Sequence, residues 1–174
     1  MESVITDEVA ALIGTRSQMT TWDIVERSEI RRFAQAVMDP DPIYWDDDAA
    51  KKRGFSGVAA PPLFPLYAFR FPPYHEDALA QAAVEDDFHG GSFLPRFGLP
   101  DIPVPQKGLL NGGNDIEFHG YARIGDRLSA DCELIDIYQK LGSTGTLVFV
   151  EMFMTFRNQD GQILLHNRQV EIRR

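Results

Sequence analysis

The chain has 174 residues and a formal charge of −9, with 44% apolar and 25% charged residues. That length suits one domain with a full core, and the composition is that of an ordinary soluble globular protein. The acidic balance argues against nucleic-acid binding through phosphate neutralisation, and an anionic substrate such as a CoA ester would need a local basic patch.

The lone cysteine, Cys132, excludes an internal disulfide and a cysteine-based zinc site, and it lies in an alternating pattern that predicts a buried strand residue. No apolar run reaches the ~18 residues of a membrane span. The first residues lack the basic start and apolar stretch of a signal peptide, so a cytoplasmic protein is expected.

In chain order, residues 6–13 predict a short helix, capped by Thr6, favoured by Asp7 and Glu8 and stopped by Gly14. Residues 20–27, TTWDIVER, read as a short strand. Ser28 then caps a longer helix whose Ile30, Phe33, Ala34 and Val37 form one stripe, and Pro40 ends it. Residues 46–54 predict a second short helix, acidic at its start, basic at its end and closed by Gly54; the acid run is a helix start rather than a metal site. Residues 61–70, PPLFPLYAFR, are apolar nearly all round and predict a buried helix, short or kinked at Pro65.

Residues 71–113 hold six prolines and six glycines, too broken for long regular elements apart from a helix over 75–85. An excursion of that length inside one 1–174 domain reads as a functional loop or lid. Ile116 and Phe118 begin a strand; Gly125–Asp126 turns; Leu128, Ala130, Cys132 and Leu134 alternate in a second strand. TLVFVEMFMTFRN is apolar on both faces and predicts a central strand, and NQDG turns the chain into a returning QILLHNRQVEIRR. The sum is an α+β architecture, an antiparallel sheet with a helix packed on one face.

Three stretches carry a resemblance. Asp39-Pro40-Asp41-Pro42-Ile43-Tyr44 with Asp46 resembles the hydratase motif of the MaoC-like enoyl-thioester hydratases and dehydratases, which runs Asp-x-Asn-Pro-Ile/Leu-His-x-Asp. GVAAPPLF, residues 57–64, is similar to the start of that family's central helix, and NGGNDIEFHGYARIGDRL, residues 111–128, to its next strand and Gly-Asp turn. The likeness is nearest to the N-terminal half-domain of fatty-acid-synthase-type MaoC dehydratases and covers roughly residues 17–173. It implies a hot-dog fold, an antiparallel sheet wrapped around a long central helix. It also implies pairing as a homodimer or as a heteromer with a catalytic MaoC-like subunit. The implied ligand is an acyl-CoA or acyl-carrier thioester, and no cofactor or metal is expected.

The implied chemistry is water addition to an enoyl thioester, or its reverse. It needs a carboxylate and an imidazole on the water, a backbone N–H on the thioester oxygen, and a tunnel that excludes bulk water. Asp39 matches the catalytic carboxylate; its alternative role is to hold backbone amides at the helix exit. Tyr44 stands in the place of the catalytic histidine, and a phenol near pKa 10 cannot cycle protons at neutral pH. Pro62 stands where the family has the glycine whose N–H faces the thioester oxygen, and proline has no N–H. The Leu63 N–H is a replacement donor. Arg70 and Asn114 are further candidates for substrate binding, beside Pro62 and Leu63.

Other histidines compete for a role: His119 after its strand, His75 and His89 in the excursion, and His166, expected exposed in the last strand. Lys51, Lys52, Arg53 and Arg70 are candidates for a phosphate patch, with a solvated helix end as the alternative for the first three. Ser56 lacks a nucleophile-elbow context, so acyl-enzyme chemistry has no support, and residues 61–70 offer no acid for a thioesterase. Three readings result. One is a catalytically degenerate, acyl-binding subunit of an (R)-specific enoyl-CoA hydratase or 3-hydroxyacyl-thioester dehydratase, completed by an active partner. The second is a self-sufficient homodimeric hydratase using Asp39, alone or with His119. The third is a non-enzymatic acyl-CoA-binding protein.

Overall fold

The computed structural model describes residues 3–69, 84, 97–106, 108–143 and 145–174. The expectations for Arg70, His75, His89, the 75–85 helix and most of the Pro/Gly-rich excursion lie outside these residues.

Helix α1 spans Asp7–Ala10, with the Thr6 side chain accepting the Val9 N–H as its cap. Strand β1, Arg16–Thr20, follows. It lies upstream of the expected 20–27 strand, because pairing with a distant strand decides it. Trp22 and Ile24 alternate in sequence but are exposed, and the chain there is a loop pinned by Arg127, which donates to the Thr21 and Trp22 carbonyls. Helix α2, Arg27–Ala36, starts ahead of the expected Ser28 cap, with Glu26 at the N-cap position and no side-chain capping bond. Its Ile30 and Ala34 are buried, whereas Val37, the C-cap, is exposed.

A 3₁₀ turn, Pro42–Tyr44, comes next, capped by the Asp41 carboxylate on the Ile43 N–H. Helix α3, Asp47–Lys52, meets the expectation for the acid run: the Asp46 carboxylate caps it by accepting the Asp48 and Ala49 N–H groups. Helix α4, Phe64–Tyr67, is one turn with Pro65 inside its start. Among the described residues it is all that stands for the long central helix.

Four long strands follow: β2, Leu109–Phe118; β3, Ser129–Gly142; β4, Gly145–Arg157; and β5, Ile163–Arg173. The sheet is antiparallel throughout in the order β1-β3-β4-β5-β2, with β4 at its centre as its two apolar faces require. Strand β2 begins at Leu109, well before Ile116. Gly112 and Gly113 are therefore not turn glycines but a bulge in an edge strand. A Cβ on Gly112 would lie 2.9 Å from Val170 and Ile172 side-chain atoms, and Gly113 has φ +133°.

The sheet's inner face is built by alternation. Ala130, Cys132 and Leu134 of β3 lie opposite Phe156, Met154 and Met152 of β4, and all six are buried. Ile30 and Ala34 of α2 and Phe64 of α4 join the same cluster. Cys132 is thus the buried strand residue its pattern predicts, and burial pushes its thiol up to about 12. Among the described residues no helix is long and apolar enough to cross a membrane.

Candidate functional site

The loop from Met38 to Pro62 is a set of short turns held by carboxylates. Helix α2 ends with the Asp39 N–H bonded to the Ala34 carbonyl, and Met38 takes the left-handed conformation (φ 56°) that this closure demands. The Asp39 carboxylate then accepts the Asp41 N–H at 3.1 Å. This is the turn-holding role that the helix exit suggests. Asp41 in turn accepts from Ile43 and takes the Arg53 guanidinium at 2.5 Å. Asp47 accepts the Val58 N–H at 3.0 Å and Arg27 at 2.6 Å, and these bonds hold its carboxyl below the usual range. The loop is thereby clamped to the segment that leads to Pro61.

Tyr44 is 5% exposed, and its phenol lies beside Asp39. Burial first, then the charge and hydrogen-bonding pull of Asp39, then Asp41 and Tyr121, push the phenol up to about 12. At neutral pH it keeps its proton. Asp39 and Tyr44, predicted as a pair, are brought together.

The Ala60 N–H donates to the Ala122 carbonyl at 2.8 Å, and Ala59 bridges Arg123, so the proline turn is fastened to the chain just past β2. Pro61 is buried, Pro62 is half-buried and Leu63 is exposed at the turn. The Phe64 N–H returns to the Pro61 carbonyl at 2.9 Å, and the Leu63 N–H donates to no acceptor among the described residues. Leu63 thus offers a free backbone donor, among the described residues, next to Pro62, which has none.

His119 is placed elsewhere. Its Nε2 lies 3.6 Å from Glu117, and its ring meets His166 edge-on at 4.8 Å. No hydrogen bond, ion pair or ring contact among the described residues joins it to Asp39 or Tyr44. His166, expected exposed, is half-buried: it stacks on Phe153 and shares a 3.0 Å hydrogen bond with Thr155. Lys51 and Lys52 are exposed at the end of α3, while Arg53 is taken by Asp41. Asn114 accepts from Asn167 of β5 at 3.1 Å, a partner that sequence reasoning did not single out. Only pairing of strands far apart in the chain reveals it.

Among the described residues no group of three His, Cys, Asp or Glu side chains is placed to hold a metal. An open depression of about 630 Å³ lies on the sheet face opposite the core, across β1, β3 and β4, lined by Arg16, Gln18, Asp131, Glu133, Phe153 and Thr155. Its lining shares no residue with the Asp39–Tyr44 loop.

The comparisons agree with this geometry. The family described as "FAS1-like, dehydratase domain region" matches residues 11–167. A "UPF0336 protein" of Streptomyces avermitilis is 30% identical over 119 residues, 68% of this chain and 66% of its own length, so the match spans just under two thirds of that relative. Among solved structures, the ChsH1-ChsH2 complex from Mycobacterium tuberculosis is similar at TM-score 0.67 and 18% identity, over 95% of this chain and 91% of that one. A C-terminally truncated HadBC (3R-hydroxyacyl-ACP dehydratase) complex from the same organism gives 0.61 and 20%, over 92% and 96%. A "MaoC-like dehydratase" gives 0.67 and 24%, over 95% of this chain and 43% of that one. The five-stranded antiparallel sheet is that of a hot-dog fold, and the chain belongs to the MaoC-like dehydratase family, in its FAS1-like dehydratase region.

Proposed function

We propose that this chain is the acyl-thioester-binding, catalytically degenerate subunit of a cytoplasmic (R)-specific enoyl-CoA hydratase or 3-hydroxyacyl-thioester dehydratase, completed by an active hot-dog partner. The observation that carries the reading is the Asp39–Tyr44 pair. Hydration needs a group that takes and returns a proton near neutral pH. A buried phenol pushed up to about 12 does neither, and the Asp39 carboxylate is occupied with the Asp41 amide. Pro62 removes the donor expected for the enolate oxygen. Two of the similar solved structures, the ChsH1-ChsH2 and HadBC complexes, support a heteromeric arrangement here.

The test is turnover of a trans-2-enoyl-CoA series by the purified chain, by the chain with any co-purifying hot-dog subunit, and by both with Asp39→Ala. The expected result is acyl-CoA binding without turnover by the chain alone, turnover by the complex, and less than a threefold effect of Asp39→Ala on the complex's kcat. Turnover by the chain alone that vanishes in Asp39→Ala overturns the reading in favour of a self-sufficient hydratase, with the Leu63 N–H as the replacement donor. Binding with no turnover in any preparation from its host favours a non-enzymatic acyl-CoA-binding protein.

A further inference from the structure

The sheet's inner face changes character halfway across. On β3 and β4 the inner positions opposite one another from Ala130–Phe156 to Ile137–Val150 are apolar, and the one polar residue beyond them, Gln139 opposite Val148, is served by the Val4 N–H. On β5 the residues opposite Met154, Met152, Val150 and Val148 are Asn167, Gln169, Glu171 and Arg173. Four successive inner positions on one strand are polar, where the packing of an α+β sheet calls for apolar side chains. The row is not solvated surface: Asn167 is 1% and Glu171 8% exposed. Glu171 is ion-paired with Arg173. Asn167 is half-served. Its Nδ2 donates to Asn114 Oδ1 on β2, and its buried Oδ1 has no partner among the described residues. An acceptor withdrawn from water with no donor destabilises the fold, and such atoms are rare in native cores.

We propose that this polar row is a binding zone for a hydroxyl group carried along the acyl chain, remote from the thioester. The inference rests on the acyl-thioester reading above and names its substrate class: an oxygenated acyl group rather than a plain alkyl one. A hydroxyl both donates and accepts, so it serves the orphaned Asn167 Oδ1 and the neighbouring Asn114 amide together. A plain methylene chain would leave Oδ1 unpaired and lie against an ion pair. A metal cation is disfavoured, because the row's one carboxylate is already neutralised by Arg173. The position fits. The carbonyl of Leu164 takes the His119 and Gly120 amides, next to the segment that ties down the proline turn. Asn167 is three residues further along β5, about 10 Å at the rise of a strand. The row opens toward solvent at Asn114, which is exposed on the edge strand.

Isothermal titration of the full chain, in its complex where one co-purifies, with a straight-chain acyl-CoA and its ω-hydroxy analogue across a length series tests this. The expected result is a preference of about tenfold for the hydroxylated ligand at one length, the size of a well-made buried hydrogen bond. Asn167→Leu should abolish the preference, retain the plain ligand and raise Tm, since it removes the orphaned atom; an amide with a purely structural role would lower Tm instead. Asn114→Ala should cut the preference to about threefold or less and lower Tm, because it also removes the acceptor of the buried Asn167 Nδ2. Equal affinity for both ligands in the native chain overturns the inference while leaving the acyl-thioester reading intact. Binding of neither ligand overturns both.

Discussion

Met38 holds a left-handed backbone with its side chain 86% exposed, beside the residue that occupies the catalytic-carboxylate position. Glycine is at home in that conformation, whereas an L side chain there is strained. Met38→Gly should therefore stabilise the chain by about 0.5–1 kcal/mol, raising Tm by about 1–4 °C in a thermal melt. Tyr44 gives a pH signature. Its phenol titrates near 10 when unfolded and is pushed up to about 12 when folded. Between those values the unfolded state releases the proton and the folded state keeps it, so stability is full below pH 10 and is lost as pH rises toward 12. Denaturant midpoints across that window should fall for the native chain and fall less steeply for Tyr44→Phe.

Elements whose ends are decided locally were legible, and those decided by distant partners were not. Thr6, Asp46 and the Asn158–Gly161 turn announce themselves because a side-chain oxygen meets an amide two or three residues away. Asp46→Ala should accordingly cost about 1 kcal/mol in chemical denaturation, the value of one N-cap. Strand β1 was misplaced because Trp22 and Ile24 alternate like a strand, while pairing with β3 selects Arg16–Thr20. The start of α2 shifted because no side chain caps it. Gly112 and Gly113 read as turn residues because a bulge and a turn use the same freedom of glycine. The site divides the same way. Asp39, Asp41 and Tyr44 lie within one turn and are readable as a loop missing its imidazole. The Asn167–Asn114 pair joins strands through register alone, and nothing local in HNRQVEIRR marks its inner face as a binding surface.

At the scale of the whole molecule the two edges of the sheet are unequal. Strand β1 has five residues, and β2 has ten, exposed on both faces over most of its length. An edge of that length with unpaired backbone groups invites another strand, and proteins that stay alone blunt such edges with proline, lysine or a covering element. β2 reads LLNGGNDIEF, with no proline or lysine, and it displays Leu110 and Phe118 to solvent. That edge is where a second hot-dog sheet would continue this one in the proposed complex. A lysine at Leu110 together with a glutamate at Phe118 places charges on exposed positions, so the chain itself should keep its Tm to within about 1 °C. Association, measured by light scattering on a sizing column, should weaken by tenfold or more, because the new charges would be buried without partners at the contact. A complex that survives both substitutions would place the partner elsewhere. Another exposed apolar group is then the alternative, Val37, Met38, Leu63 and Tyr67 around the Asp39 loop, and Met38→Gly would become the variant that loosens it.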